Sequence, residues 1–207
     1  MKILVVGSGG REHALVWKLA QSQHTAKMWC LPGNAGIAQE KLSSNGESVE
    51  CIQVSSEDLP ALLNFAKVQR PDLTVVSSDN PLGMGIVDQF QKEGLVIWGP
   101  NKRAAQFESS KAFSQQFMEH YGVPTAASGV FSSFQEAMEF AESFHGRCAV
   151  KVDGLALGKG VFVCSNMQET ENGIKTILQE KAFGEAGERV VIQEYLDGTE
   201  ISLHALC

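Results

Sequence analysis

Three absences narrow what this 207-residue chain can do. It has no cluster of Lys and Arg, and its formal net charge is −7. That balance argues against a nucleic-acid surface, so a basic site here is local and sized for a small anion. It has no CxxC pair: Cys30, Cys51, Cys148, Cys164 and Cys207 are scattered without histidine partners. Such spacing gives neither a disulfide framework nor a zinc site, and a reducing cytoplasm is the simplest setting. It also has no apolar run long enough to span a bilayer, and the opening MKILVVGSGG breaks into glycines before it could form a secretion signal. No membrane partner is expected. No repeat, Ser-His-Asp order or compelling carboxylate pair stands out, so nucleophilic hydrolysis and glycosidase chemistry have little support. With 43% hydrophobic and 20% charged residues, the composition is that of a folded chain with one large or two modest cores.

What is present begins with alternation. β-rich runs at 2–6, 27–31, 49–54, 73–77 and 95–98 alternate with helical patterns at 11–21, 59–69 and 82–92. The expected architecture is a parallel sheet covered by helices, with ligands at the carboxyl ends of the strands. Gly99-Pro100 closes this unit. Ser109 or Ser110 can cap an amphipathic helix to about residue 120, with Phe113, Phe117 and Met118 expected as core. After Pro124 the style changes. Ser133-Phe-Gln-Glu136 reads as a capping box for a helix to about 144, followed by a glycine-rich hairpin, a helix near 167–179 and a strand at 189–195. A boundary is expected near 100–123.

The stretch 149–163, AVKVDGLALGKGVFV, places Lys151 and Lys159 around a glycine-rich loop between two strand-like runs. Glycines let the backbone approach a polyphosphate, and lysines supply compact positive charge. It is not a Walker A loop. Three residues rather than four separate Gly154 from Gly158-Lys159, Gly160 replaces the Ser or Thr, and the flanks alternate like a hairpin. A plain hairpin turn with solvated lysines is the competing reading.

Gly7-Ser-Gly9-Gly10-Arg11-Glu12-His13 follows the first strand and opens a helix, where free N–H groups favour an anion. It lacks the third glycine of GxGxxG, and the second strand ends in Leu31-Pro32-Gly33-Asn34 rather than an acid, which disfavours NAD. His13 is either an imidazole packed at a helix start or a functional group. Asp79 ends the fourth strand and suits either a sugar hydroxyl or a helix cap. Gln193 to Glu200 continue a strand into a turn.

In this order, GSGGREHAL, PGNAG, SSKAF, KVDGLALGKGV and QEYLDGTE resemble the phosphoribosylamine-glycine ligase (glycinamide ribonucleotide synthetase) family of the ATP-grasp superfamily, along the whole chain. The resemblance implies a Rossmann-like α/β domain over 1–103 and a connecting helix over 104–123. An α+β ATP-grasp lid subdomain over 124–192 follows, and 193–207 opens a central domain that stops short at Cys207. The activity implied is joining glycine to 5-phosphoribosylamine with ATP through a glycyl phosphate, in purine synthesis. ATP contacts are implied for Lys111, Lys151, Asp153, Gly154, Gly158, Lys159, Gly160, Gln193, Glu194, Tyr195, Leu196 and Glu200, with Lys151 and Lys159 catalytic. Gly9, Gly10, Glu12, His13, Asn34 and Asp79 are implied on the phosphoribosylamine side.

Mg2+ or Mn2+ is implied as well, with ligands beyond this chain and none within it, so the 207 residues alone are expected not to catalyse ligation. Apolar strand surface near Ile201, Leu203 and Leu206 is expected to lack its sheet partners. Two residues depart from the family pattern: Asp79 stands for a Glu, one methylene shorter, and Gln193 stands for a Glu, without the charge. A non-catalytic nucleotide-binding module is the alternative from a different class.

Overall fold

The computed structural model describes residues 1–156 and 158–203 and contains two compact units, Met1–Ser109 and Ser110–Cys207. The first unit runs β1 (Lys2–Gly7), α1 (Gly10–Ala20), β2 (Lys27–Pro32), β3 (Glu50–Cys51), α2 (Leu59–Gln69), β4 (Leu73–Val76), α3 (Asp79–Met84), α4 (Ile86–Lys92), β5 (Ile97–Trp98) and α5 (Lys102–Ser109). Its sheet has the order β3-β2-β1-β4-β5 and every pairing is parallel. Central strands of such a sheet are covered on both faces, which is why β1 reads as an unbroken ILVV. Leu4 and Val6 enter one core with Leu62, Ile86 and Phe90, while Ile3 and Val5 enter the other with Val16, Met28 and Ile37. The chain reverses its direction of strand addition between β1 and β4, and that opens a crevice at their carboxyl ends.

Three sequence expectations are corrected here. The strand expected over 49–54 shrinks to β3, because Val54 N–H turns back onto the Ile52 carbonyl (2.8 Å) and leaves the ladder. The helix expected over 82–92 starts earlier and breaks into α3 and α4 at Gly85, whose φ of +92° ends one helix and opens the next. In place of one connecting helix over 104–123, α5 ends at Ser109 and a new helix starts after extended Ser110.

The second unit contains α6 (Lys111–His120), β6 (Ser128–Phe131), α7 (Phe134–Glu142), β7 (Cys148–Val152), β8 (Val161–Cys164), α8 (Met167–Leu178) and β9 (Val190–Glu194). The antiparallel sheet β6-β9-β7-β8 carries α7 and α8 on one face, over a core that includes Val150, Val152, Ile174, Ile177 and Ile192. Ser133 caps α7 by accepting from Glu136 N–H, and Asn166 caps α8 by accepting from Glu169 N–H (3.0 Å). Phe113, Phe117 and Met118 are only half-buried, contrary to their expected core role; Ala112 is the buried residue of α6. Residues 195–203 carry no regular secondary structure, and Ile201 and Leu203 are exposed. Leu206 and the strand-like run expected to reach Cys207 lie outside the described residues. No helix among the described residues is long and apolar enough to cross a membrane.

Candidate functional site

The second unit gathers positive charge at one end of β7. Val150 and Val152 point into the core, so strand alternation turns Lys151 to the opposite face. There its Nζ donates to Oε1 of Gln193 on the neighbouring β9. Lys111 is the first residue of α6, and its Nζ donates to the Gly154 carbonyl at 3.2 Å. Burial lowers the Lys151 pKa from the ordinary lysine value, and the nearby charge of Lys111 lowers it further. The two ammonium groups therefore share a partly dry site without a carboxylate on Lys151.

The glycine loop is shaped by close approach. At Gly154 a Cβ would stand 2.8 Å from the Cβ of Ala186, and at Gly160 one would strike Val152 at 2.2 Å. Gly158 takes φ +77°, and Lys159 beside it is exposed. Leu157 lies outside the described residues. Asp153, expected as a nucleotide contact, turns inward: it is 8% exposed, and its carboxylate accepts from Ser110, Ala112 and Arg189. Glu194 turns away as well, with its backbone N–H on Ala127 O (2.8 Å) and its carboxylate accepting from Ala127 N–H (3.4 Å). The Tyr195 ring lies under the Arg147 guanidinium at 4.8 Å, and Arg147 also holds Asp197 at 2.6 Å. Leu196 and Glu200 are exposed. No hydrogen bond or ion pair ties Glu200 to the lysines among the described residues. An open cleft of about 460 Å³ between α6 and β6 is lined by residues such as Met118, Pro124 and Phe140, with no Lys, Arg or His in its lining.

In the first unit, three loops meet at the carboxyl ends of β1, β2 and β4. Gly9 caps α1, and Glu12 reaches back to its N–H at 2.8 Å. Ser77 and Ser78, just after β4, donate their hydroxyls to the same carboxylate. Glu12 was expected to face the substrate; at 3% exposure it is instead a buried clasp joining two loops. Gly10 leaves open space where a side chain would stand. His13 Nε2 pairs with Glu40 Oε1 at 2.9 Å, both half-buried. Asn34 donates to Ser8 O (2.8 Å) and accepts from Ile37 N–H (2.9 Å), buckling the loop after β2. Asp79 does not cap its helix. Ser78 holds the cap position, and the Asp79 carboxylate takes two bonds from Arg11, at 3.2 and 3.3 Å.

The cap expected at Ser109 or Ser110 falls on Ser110, whose hydroxyl accepts from Phe113 N–H; sequence reasoning missed Arg189, Glu40, Ser77 and the bond from Ser110 to Asp153. Arg189, Glu40 and Ser77 sit in no motif, and all four partnerships span 27 to 65 residues of chain. Among the described residues no group of three or more His, Cys, Asp or Glu is placed to hold a metal ion.

Comparison with known proteins agrees with both units. The sequence model described as phosphoribosylglycinamide synthetase, N domain, matches residues 1–108, and the one described as phosphoribosylglycinamide synthetase, ATP-grasp (A) domain, matches residues 109–207. Phosphoribosylamine--glycine ligase of Haemophilus influenzae is 46% identical over 202 residues, covering 98% of this chain and 46% of the relative. The protein of the same name from Halalkalibacterium halodurans is 43% identical over 205 residues, covering 99% and 46%. The crystal structure of phosphoribosylamine--glycine ligase from Thermotoga maritima superposes with a TM-score of 0.68 at 30% identity, over 96% of this chain and 45% of that one. The biotin carboxylase domain of Hydrogenobacter thermophilus 2-oxoglutarate carboxylase superposes at 0.73 and 17% identity over 95% and 44%, a likeness of fold alone. The chain spans about half the length of the curated relatives it matches. Two adjoining domain matches and these identities along nearly all its residues establish that the chain belongs to the phosphoribosylglycinamide synthetase family.

Proposed function

We propose that this chain supplies the ATP phosphate site and the phosphoribosylamine site of an ATP-dependent ligase that joins glycine to 5-phosphoribosylamine. The observation that carries the reading is the Lys111–Lys151 pair. Burial and mutual repulsion depress the Lys151 pKa, and the side chain on Lys151 is the neutral amide of Gln193. A polyphosphate placed there relieves both penalties at once. Glycines 154, 158 and 160 give its oxygens close backbone approach, and exposed Lys159 on the loop adds a third cation.

In the reaction proposed, a glycine carboxylate oxygen attacks the γ-phosphorus and ADP departs. The amine of phosphoribosylamine then attacks the acyl carbon, phosphate leaves, and the amine loses a proton. The work assigned to these residues is neutralising phosphate charge and excluding water. On the amine substrate, Gly9, Gly10, His13, Asn34 and the Arg11–Asp79 pair form the binding surface, held in shape by Glu12. A divalent cation accompanies ATP in such ligases, but the described residues offer it no cluster of acids, so no step is routed through a metal site here.

Isothermal titration of this chain with ATP tests the reading. Saturable binding that is lost in the Lys111→Ala/Lys151→Ala double variant is expected; absence of binding by the native chain at millimolar ATP refutes it. The product glycinamide ribonucleotide should shift the amide resonances of Gly9, Gly10 and His13, and shifts elsewhere alone would reject the substrate assignment.

A further inference from the structure

We infer that Asp153 is a positioning residue for Lys111: a buried carboxylate that closes the amino end of α6 and fixes the Lys111 side chain at the start of the glycine loop. The inference rests on the ATP reading of the lysine pair.

A helix leaves its first four N–H groups without internal partners, and in α6 those of its first three residues, Lys111, Ala112 and Phe113, are each accounted for. Lys111 N–H goes to the backbone oxygen of Asp153 (3.0 Å), and Ala112 N–H to its Oδ1 (2.8 Å). Phe113 N–H goes to Ser110 Oγ (3.1 Å), and the helix's own ladder begins with Ser114 N–H on Ser110 O (3.1 Å). The Ser110 hydroxyl in turn donates to Asp153 Oδ1 at 2.8 Å. Two consequences follow. The N–H groups of residues 111–113 are engaged, so an anion at this helix end is met by the Lys111 side chain. That side chain springs from a residue whose backbone is bonded to the residue before the glycine loop, two positions beyond Lys151, so one residue sets the spacing of both ammonium groups.

Two other roles for Asp153 fit less well. As a ligand contact it would bring a carboxylate to a polyphosphate, yet it is 8% exposed and both oxygens are taken. As an ion-pair partner of Arg189 alone it would not need Oδ1 aimed at α6, and Arg189 is half exposed.

The test compares ATP with adenosine, which lacks the phosphates, on the 207-residue chain. Asp153→Ala is expected to weaken ATP binding about tenfold, the scale of a displaced charge contact, with adenosine affinity unchanged. Asp153→Asn keeps the volume but replaces the anionic cap by an amide whose NH2 must face Ala112 N–H or Arg189. It is expected to lose about threefold for ATP by the same cap argument, and it carries the test if the alanine variant does not fold. In ¹³C-dimethylated protein, either variant moves the Lys111 signal and leaves Lys175 in place. Wild-type ATP affinity in a folded variant, or equal losses for ATP and adenosine, overturns the positioning role. Failure of the native chain to bind ATP overturns the ATP reading instead, so the two failures are distinguishable.

Discussion

Replacing Lys151 with methionine should move ligand affinity and protein stability in opposite directions. The side chain sits on β7 between core-facing valines, its ammonium on Gln193 Oε1 and near Lys111, and burial is the first cause of its lowered pKa. Methionine keeps the stem volume and removes the charge. A hydrogen bond to a charged group is worth about 1.5–3 kcal/mol, so ATP affinity should fall by roughly 10- to 150-fold. Without ligand the effect reverses. A half-buried cation repelled by Lys111 burdens the folded state, and its removal should stabilise by about 1 kcal/mol, or roughly 2–4 °C in a chain of this size.

The pH dependence has a definite sign. Because the folded-state pKa lies below the ordinary 10.5, the penalty is full at neutral pH and fades as pH rises through the lowered pKa toward 10.5. The stability gain of Lys151→Met should fade over the same window. ATP, by favouring the ammonium, should draw protons onto the wild type in alkaline buffers, and affinity should decline as pH rises there. Titration calorimetry in two alkaline buffers of different ionisation enthalpy, with thermal melts of both proteins, measures each quantity. Lys151→Met binding ATP like the wild type, or melting lower, would refute the reasoning.

Three further outcomes are expected. Glu12→Ala strands Gly9 N–H and two serine hydroxyls, and should cost the first unit about 2 kcal/mol or more in urea unfolding; an unchanged midpoint would show that the clasp contributes little. Cys30, buried and beside Cys51 and the Glu12 carboxylate, has its thiol pKa pushed up to about 12, so alkylation mapped by mass spectrometry at mildly alkaline pH should leave it unmodified until the protein is unfolded. Gly146 has φ +72° and a Cβ there would stand 2.3 Å from Met167 N, so Gly146→Ala should destabilise the second unit by about 2 kcal/mol or more, read from its melting transition.

What could be read from the sequence was local. The ILVV run, the glycine hairpin with both lysines and the Ser133 cap each signal themselves within a short stretch, through periodicity and turn chemistry, and the parallel βα alternation follows from a succession of such stretches. What escaped was settled between distant segments. Glu12 looked like a ligand because it sits in a glycine loop, but Ser77 and Ser78 claim it from the end of another strand. Asp153 was implied as an ATP contact by the family resemblance, but Ser110 and Arg189, from distant parts of the chain, claim its carboxylate. The split at Gly85 was missed for a different reason: apolar periodicity continues across it while the backbone reverses its handedness for one residue. The Lys111–Lys151 proximity came from family resemblance rather than spacing, since no local pattern joins residues 40 positions apart.

The strand order of the second unit also bears on how the chain is made. β6 has β9 as its one neighbour, and β9 is synthesised last of the strands described. The first unit has every strand of its sheet once residue 98 has emerged, and can assemble while translation continues. β6 must wait through the synthesis of α7, β7, β8 and α8, several seconds at about 5–20 residues per second. Through that interval the β7–β8 hairpin can close, but its open edge awaits β9, and residues 128–131 have nothing to pair with. Newly made chains should therefore be most vulnerable to proteases and to mispairing while ribosomes cross this span, and slow codons placed just after residue 109 would be tolerated better than slow codons placed before residue 190.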